Sequence, residues 1–397
     1  MTQIGLSFKK QLFFSCLTLG LVLGVIELCC HVLTLVGWLP YNMFTPVIYT
    51  QETVTYRLDL NGSPIFVDGH KVYRQPGVPV KLRSYDSQGF NPHDHKRFSK
   101  ESKDQYRIGF FGDSYTEGLQ VEGHQTFPRL IEEALSAKLD KLVSCFNFGV
   151  GGTGTYHHYL RYLTVSQKTE LDHVVLCFLP QNDVLNNHPQ LGQQFELPNA
   201  PYFSPALAKA NINQNLLINK QQVVNRRILW LRRTVGLSFL ASGTYRLLRQ
   251  VFANGKRRKA DIWAWRESWL GVYGSPPNQA WEEAWQITED VIQRFYQRVT
   301  ADGAQFTLLL AADSLQIGDS EILAPDRAAA CDLSYPNRRL KKWAFQHRIP
   351  FLDSLPYFLA KKTDLGYPYF SWKHDGHYAQ LGHQTMADFW MDSAQSP

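Results

Sequence analysis

The sequence predicts an α/β fold, a parallel sheet covered by helices on both faces, preceded by one N-terminal transmembrane helix. Three observations carry this. Short apolar runs of strand length alternate with helical stretches along most of the chain, the order that βαβ units impose. Several of these runs end in Gly, Asn or Asp, as buried strands do where they leave a sheet. Near the start stands a far longer apolar run. With 397 residues and 44% apolar content, the chain has room for a membrane element and one large domain, or two modest ones.

Lys9 and Lys10 precede "QLFFSCLTLGLVLGVIELCCHVLTLVGWLP", in which 12–38 is almost wholly apolar. As a helix this run spans about 40 Å at roughly 1.5 Å per residue, enough to cross a bilayer with tilt. The lysines favour a cytoplasmic N-terminus, with everything after Pro40 exported. A cleaved signal peptide is the rival reading. The length of the run and the lack of a small-x-small site before Pro40 favour a retained anchor. The organisation expected is a cytoplasmic tip and anchor over 1–40, a linker and lead-in over 41–105, and one domain over 106–397. The polar stretch "LRSYDSQGFNPHDHKRFSKESKDQ" reads as the loop that enters this domain.

Within the domain, strands are expected over 107–111, 142–148, 174–179 and 306–310, with a short one around 350–352. Helices are expected over 126–138, 156–165, 281–299 and 337–347, with a last one after Ala379. An insertion at about 187–277 interrupts the alternation. In it Ile228, Leu231, Val235 and Phe239 recur at helical spacing among Arg226, Arg227, Arg232 and Arg233. Such a basic amphipathic segment, 226–259, suits a lid packed on the core or a helix lying on an anionic membrane.

The net charge of +6 is mild and spread out, and no nucleic-acid motif is present. Cys16, Cys29 and Cys30 lie in the apolar run, while Cys145, Cys177 and Cys331 are scattered, a pattern that fits neither a zinc site nor a disulfide framework. No cofactor or metal is expected.

Chemistry concentrates in four segments placed where strands end. "FFGDSYTEG" puts Ser114 just past the first strand, and "NFGVGGTGT" puts Gly152 past the second. "LPQNDVLNN" puts Asn182 on a loop past the third, and "KHDGHYAQLGH" carries Asp375 and His377 before the last helix. Loops at this edge of a parallel sheet are where α/β enzymes place their reacting groups. In these four segments the sequence resembles the SGNH hydrolases, also called GDSL-like esterases, from about Leu82 to the C-terminus. It also looks like the membrane-anchored envelope subgroup, through "DSQGF" at 86–90.

The resemblance implies a flavodoxin-like three-layer sandwich and hydrolysis or transfer of acyl esters, often on carbohydrates. It makes Ser114 the nucleophile, His377 the base and Asp375 the acid. The oxyanion donors become the backbone N–H groups of Ser114 and Gly152 and the amide of Asn182. A serine hydroxyl needs such a base, and a tetrahedral oxyanion needs fixed donors. The acid stands two residues before the histidine, whereas His374 occupies the position three before that many relatives use. Thr116, two residues after the serine, excludes the G-x-S-x-G elbow. His383 is expected to be structural, and His157 and His158 to open a solvated helix, with lining of the cleft as the alternative.

The expected function is therefore removal of O-acyl groups from a glycan or glycolipid by an exported, anchored enzyme. An O-acetyltransferase would use the same residues with a partner supplying the acyl donor. A scaffold protein of the envelope would need neither Ser114 nor His377.

Overall fold

A computed structural model describes residues 7–35, 57–58, 64–65, 69–75, 78–85, 104–139, 141–166, 169–195, 269–319, 331–366, 368–372 and 376–393. The polar lead-in at 86–103, the basic segment 226–259, and His374 with Asp375 lie outside these residues. The first element, α1 (Phe8–Leu35), contains a 22-residue apolar span, Phe8–Cys29, of mean hydropathy 2.2. It is long and apolar enough to cross a membrane, and its Phe, Leu and Val side chains are exposed around the helix.

Two small antiparallel ladders follow, β1 (Arg57–Leu58) with β2 (Pro64–Ile65), and β3 (Gly69–Gln75) with β4 (Val78–Tyr85). The start of the expected lead-in loop, Leu82–Tyr85, is thus the end of a strand. The period-2 placing of Val78, Val80 and Leu82, with Lys81 and Arg83 interleaved after Pro79, accounts for it.

The α/β domain is built on β5 (Tyr106–Gly112), β6 (Val143–Asn147), β7 (His173–Phe178), β8 (Gln305–Leu310) and β9 (Phe351–Asp353). All are parallel, in the order β6-β5-β7-β8-β9. This is the 2-1-3-4-5 order of flavodoxin-like sheets, and the winding reverses at β5. Each long strand is buried on both faces. Val174, Leu176 and Phe178 of β7 enter one core with Phe111, Phe146, Leu308 and Leu310, while Val175 and Cys177 enter the other with Ile108, Phe110, Cys145 and Leu309. Burial on both sides is why these strands read as near-continuous apolar runs.

Three helices line the first face: α4 (Thr155–Val165), α7 (Gln279–Ala301) and α8 (Tyr335–Gln346). In α7, Trp281, Ala284, Trp285, Ile292, Phe295 and Val299 recur at the helical period and face the sheet. Asn278 caps this helix by accepting from the Trp281 N–H at 3.2 Å. The other face is lined by α3 (Phe127–Lys138), α9 (Leu355–Asp364) and α10 (Gln380–Asp392), which bury Phe127, Ile131, Leu135, Phe358, Met386 and Trp390. Trp269, Val272 and Tyr273, near the end of the expected insertion, are part of the first core.

Candidate active site

Ser114, Gly152 and Asn182 lie past the carboxyl ends of β5, β6 and β7, and His377 reaches the first of them from the segment before α10 (Gln380–Asp392). Past β5, Asp113 caps the four-residue helix α2 (Ser114–Glu117) by accepting from the Tyr115 N–H at 3.0 Å. Ser114 is therefore the first residue of a capped turn. The His377 Nε2 lies 2.8 Å from the Ser114 Oγ. Two residues that are 263 positions apart in the chain come within hydrogen-bond distance, in the geometry by which an imidazole takes a hydroxyl proton.

Past β6, the Asn147 amide donates to the Thr116 carbonyl at 2.7 Å and its Oδ1 accepts from the Gly149 N–H at 3.0 Å, which seats the glycine-rich loop on α2. The Gly151 N–H is taken by the Glu117 carboxylate at 2.7 Å. Gly152 has φ +74°, the left-handed region, and a Cβ there would meet no atom within 4 Å. Its N–H has no hydrogen-bond partner among the described residues, so of these two glycines it keeps a donor to offer.

Past β7 the structure corrects one expectation. Asn182 is not in a loop but in the first turn of α5 (Pro180–Asn187). Pro180 occupies the first helical position, and Asp183 accepts from the Leu179 N–H at 3.1 Å, which satisfies an otherwise orphaned donor at the helix start. Asn182 is buried, and its Oδ1 has no hydrogen-bond partner among the described residues. A short helix, α6 (Pro189–Phe195), follows.

His157 and His158 were expected at a solvated helix start, and both are buried. His157 Nδ1 accepts from the Gly154 N–H at 3.1 Å, and His158 Nε2 lies 3.1 Å from Thr153 Oγ1. Burial, reinforced by His157, holds His158 well below the usual imidazole range, so it is neutral. They brace the turn that follows Gly152. His383 is buried in α10, where its Nδ1 accepts from the Phe127 N–H at 3.3 Å and its ring stacks on Phe127.

The segment leading to His377 is held by a carboxylate that the sequence did not single out, Asp319. The Asp319 Oδ2 accepts from the N–H groups of Phe370 and Ser371 at 2.6 and 2.9 Å, and Lys362 pairs with its other oxygen at 2.5 Å. Trp372 then donates to the His377 carbonyl at 2.8 Å. Beside it, Asp313 lies just past β8, fully buried, accepting from Tyr273 Oη and from the N–H groups of Leu315 and Gln316. Burial pushes its carboxyl up to about 6, against the opposing effect of those hydrogen bonds. An acid directly after an apolar strand, in "LLLAADSLQIGD", was the signal available for it.

A serine and a histidine within hydrogen-bond distance at the carboxyl edge of a flavodoxin-like sheet form an arrangement that can carry out nucleophilic acyl chemistry. Residues 108–266 match the family model described as GDSL-like Lipase/Acylhydrolase. The matched segment includes Ser114, Gly152 and Asn182 and ends before His377. No curated protein sequence matches the chain. Among solved structures it is similar to the acetyl xylan esterase AlAXEase, at 15% identity over 72% of this chain and 99% of that one, with a TM-score of 0.37. It is also similar to a catalytic mutant of the acetylxylan esterase Axe2 from Geobacillus stearothermophilus, at 12% identity over 74% and 95% of the two chains, with a TM-score of 0.39. A third, TesA, matches at 12% identity over 73% and 98%, with a TM-score of 0.38.

Proposed function

We propose that the chain is a membrane-anchored, exported serine esterase of the SGNH type that removes O-acyl groups from an envelope or extracellular glycan or glycolipid. The observation that supports this reading above the others is the 2.8 Å approach of His377 Nε2 to Ser114 Oγ. Ser114 Oγ attacks the ester carbonyl carbon while its proton passes to His377 Nε2. The oxyanion is stabilised by the N–H groups of Ser114 and Gly152 and the amide of Asn182. As the carbon–oxygen bond to the sugar breaks, His377 returns the proton to the departing alkoxide. Water, deprotonated by His377, then attacks the acyl-serine, and the free acid leaves as Ser114 is regenerated. Asp375 holds the imidazole in the right tautomer and stabilises the imidazolium. Acylated glycans and glycolipids are the esters that a domain held outside a membrane meets.

Full-length protein in detergent, incubated with O-acetylated oligosaccharides and acylated glycolipids, should release free carboxylic acid and a glycan lighter by the acyl group in mass spectrometry. Transfer of the acyl group to another sugar hydroxyl without free acid would replace hydrolysis by transfer. Absence of any acyl loss would remove the esterase reading.

The topology part of the proposal rests on Lys9 and Lys10 at the N-terminal end of the apolar span Phe8–Cys29. A reporter that is active only outside the cytoplasm, fused after Pro397, should be active. Activity of a cytoplasm-dependent reporter at the same position would reverse the orientation.

A further inference from the structure

We propose that Tyr115 and Tyr378 are positioning residues that hold His377 within reach of Ser114, one from each side of the base, by tying its two chain neighbours to the segment leaving β8. The proposal rests on the reading of Ser114 and His377 as the reacting pair. Tyr115 follows the serine directly, and its hydroxyl donates to the Gly376 carbonyl at 2.6 Å while accepting from the Ser314 N–H at 3.2 Å. Gly376 precedes the histidine directly. Its carbonyl shares a peptide plane with the His377 N–H, so fixing that oxygen orients the backbone from which the imidazole hangs. The bond is needed here because Gly376, at φ +87°, is in the left-handed region and has no side chain to limit its torsion.

The other neighbour is held in the same way. Tyr378 Oη donates to the Ala312 carbonyl at 2.5 Å. Both tyrosines thus converge on 312–314, a stretch stiffened by the Asp313 carboxylate, which accepts from Leu315, Gln316 and Tyr273. The Tyr115 and Tyr378 rings meet edge to face at 4.7 Å, and the Tyr115 ring lies 5.3 Å from the imidazole. Burial, with Asp313 adding to it, raises both phenols well above their ordinary range, so each keeps the proton it donates. A closed circuit results: Ser114, its neighbour Tyr115, across to Gly376, on to His377, and back to Ser114. A base freed to drift by about 1 Å loses on the order of 10²-fold in rate, and here two hydroxyls prevent that drift.

Tyr115→Phe and Tyr378→Phe, in the full-length protein in detergent, should each lower kcat for p-nitrophenyl acetate by about 10- to 100-fold with KM little changed. Labelling of Ser114 by a fluorophosphonate should slow in parallel. Tyr162→Phe, which removes a hydroxyl bonded to Asp302 at 2.7 Å, is the control for loss of a tyrosine hydrogen bond elsewhere and should keep wild-type kcat. If one of the two site variants does not fold, the other carries the test. Wild-type kcat in the folded variants, a loss no larger than that of Tyr162→Phe at equal melting temperature, or collapse of the fold in both would overturn the positioning role. Ser114→Ala run beside them separates the two readings. Wild-type turnover in that variant overturns the site itself and the positioning role with it, whereas its inactivity beside unimpaired phenylalanine variants overturns the positioning role alone.

Discussion

Ser114→Ala is expected to abolish ester turnover, with kcat falling by up to about 10⁶-fold, and His377→Ala to do the same. The expectation follows from their 2.8 Å approach, since the hydroxyl that attacks and the imidazole that takes its proton act as one unit. The double variant should be hardly slower than either single one, because a unit loses its function once. Stability is the control for this experiment. The cap of α2 is the Asp113 side chain, not Ser114, so removing the serine hydroxyl should change stability by less than about 1 kcal/mol. Melting curves of the wild type and Ser114→Ala should therefore nearly coincide. A fluorophosphonate should add its mass to the wild type at Ser114 and leave Ser114→Ala unmodified. A wild type that takes up no label and hydrolyses no ester, together with a normal envelope in cells carrying Ser114→Ala, would leave the scaffold reading in place of the enzyme.

What the sequence made legible is what local chemistry determines. β5, β7 and β8 are buried on both faces, so their apolar runs mark them to within a residue or so at each end. The helices of the two outer layers show their apolar stripes directly, and α7 is the clearest case. The elements overlooked are those whose composition points the other way. In α5, Pro180, Asn182, Asp183, Asn186 and Asn187 are turn formers by propensity, and the helix exists because Asp183 closes its start and Val184 and Leu185 are buried against the first core. α9 begins at Leu355 and Pro356 directly after β9, and its few buried residues give only a weak stripe. His157 and His158 sit at a helix start that looks solvated until α5 is placed over it, with Asn187 accepting from the Tyr156 N–H at 2.9 Å. Among the candidate residues, Ser114, Gly152 and Asn182 were legible as motif residues past strand ends, and His377 as one before the last helix. The bonds from Tyr115 to Gly376 and from Asp319 to Phe370 were not, because they join parts of the chain that only the closed fold brings together.

Asn182→Ala should lower kcat by about 10²- to 10³-fold with little change in KM, the effect of losing one oxyanion donor. A donor aimed at the oxyanion gains strength as charge develops, so its removal is felt in the transition state and hardly in substrate binding. Its position suits that role. Asn182 lies in the first turn of a helix whose start is fixed by Pro180 and Asp183, at the carboxyl end of the strand next to the one that delivers Ser114. Its Oδ1 is buried and has no hydrogen-bond partner among the described residues, so packing rather than a hydrogen bond to that oxygen orients the amide. This makes Asn182→Asp the sharper test. The aspartate keeps the shape, loses the amide donors and adds a negative charge where the oxyanion forms, so it should be at least as slow as the alanine variant. Single-turnover measurement of acyl-enzyme formation would place the loss in the chemical step. An aspartate variant that turns over as fast as the wild type would take Asn182 out of the oxyanion site and leave the N–H groups of Ser114 and Gly152 as its donors.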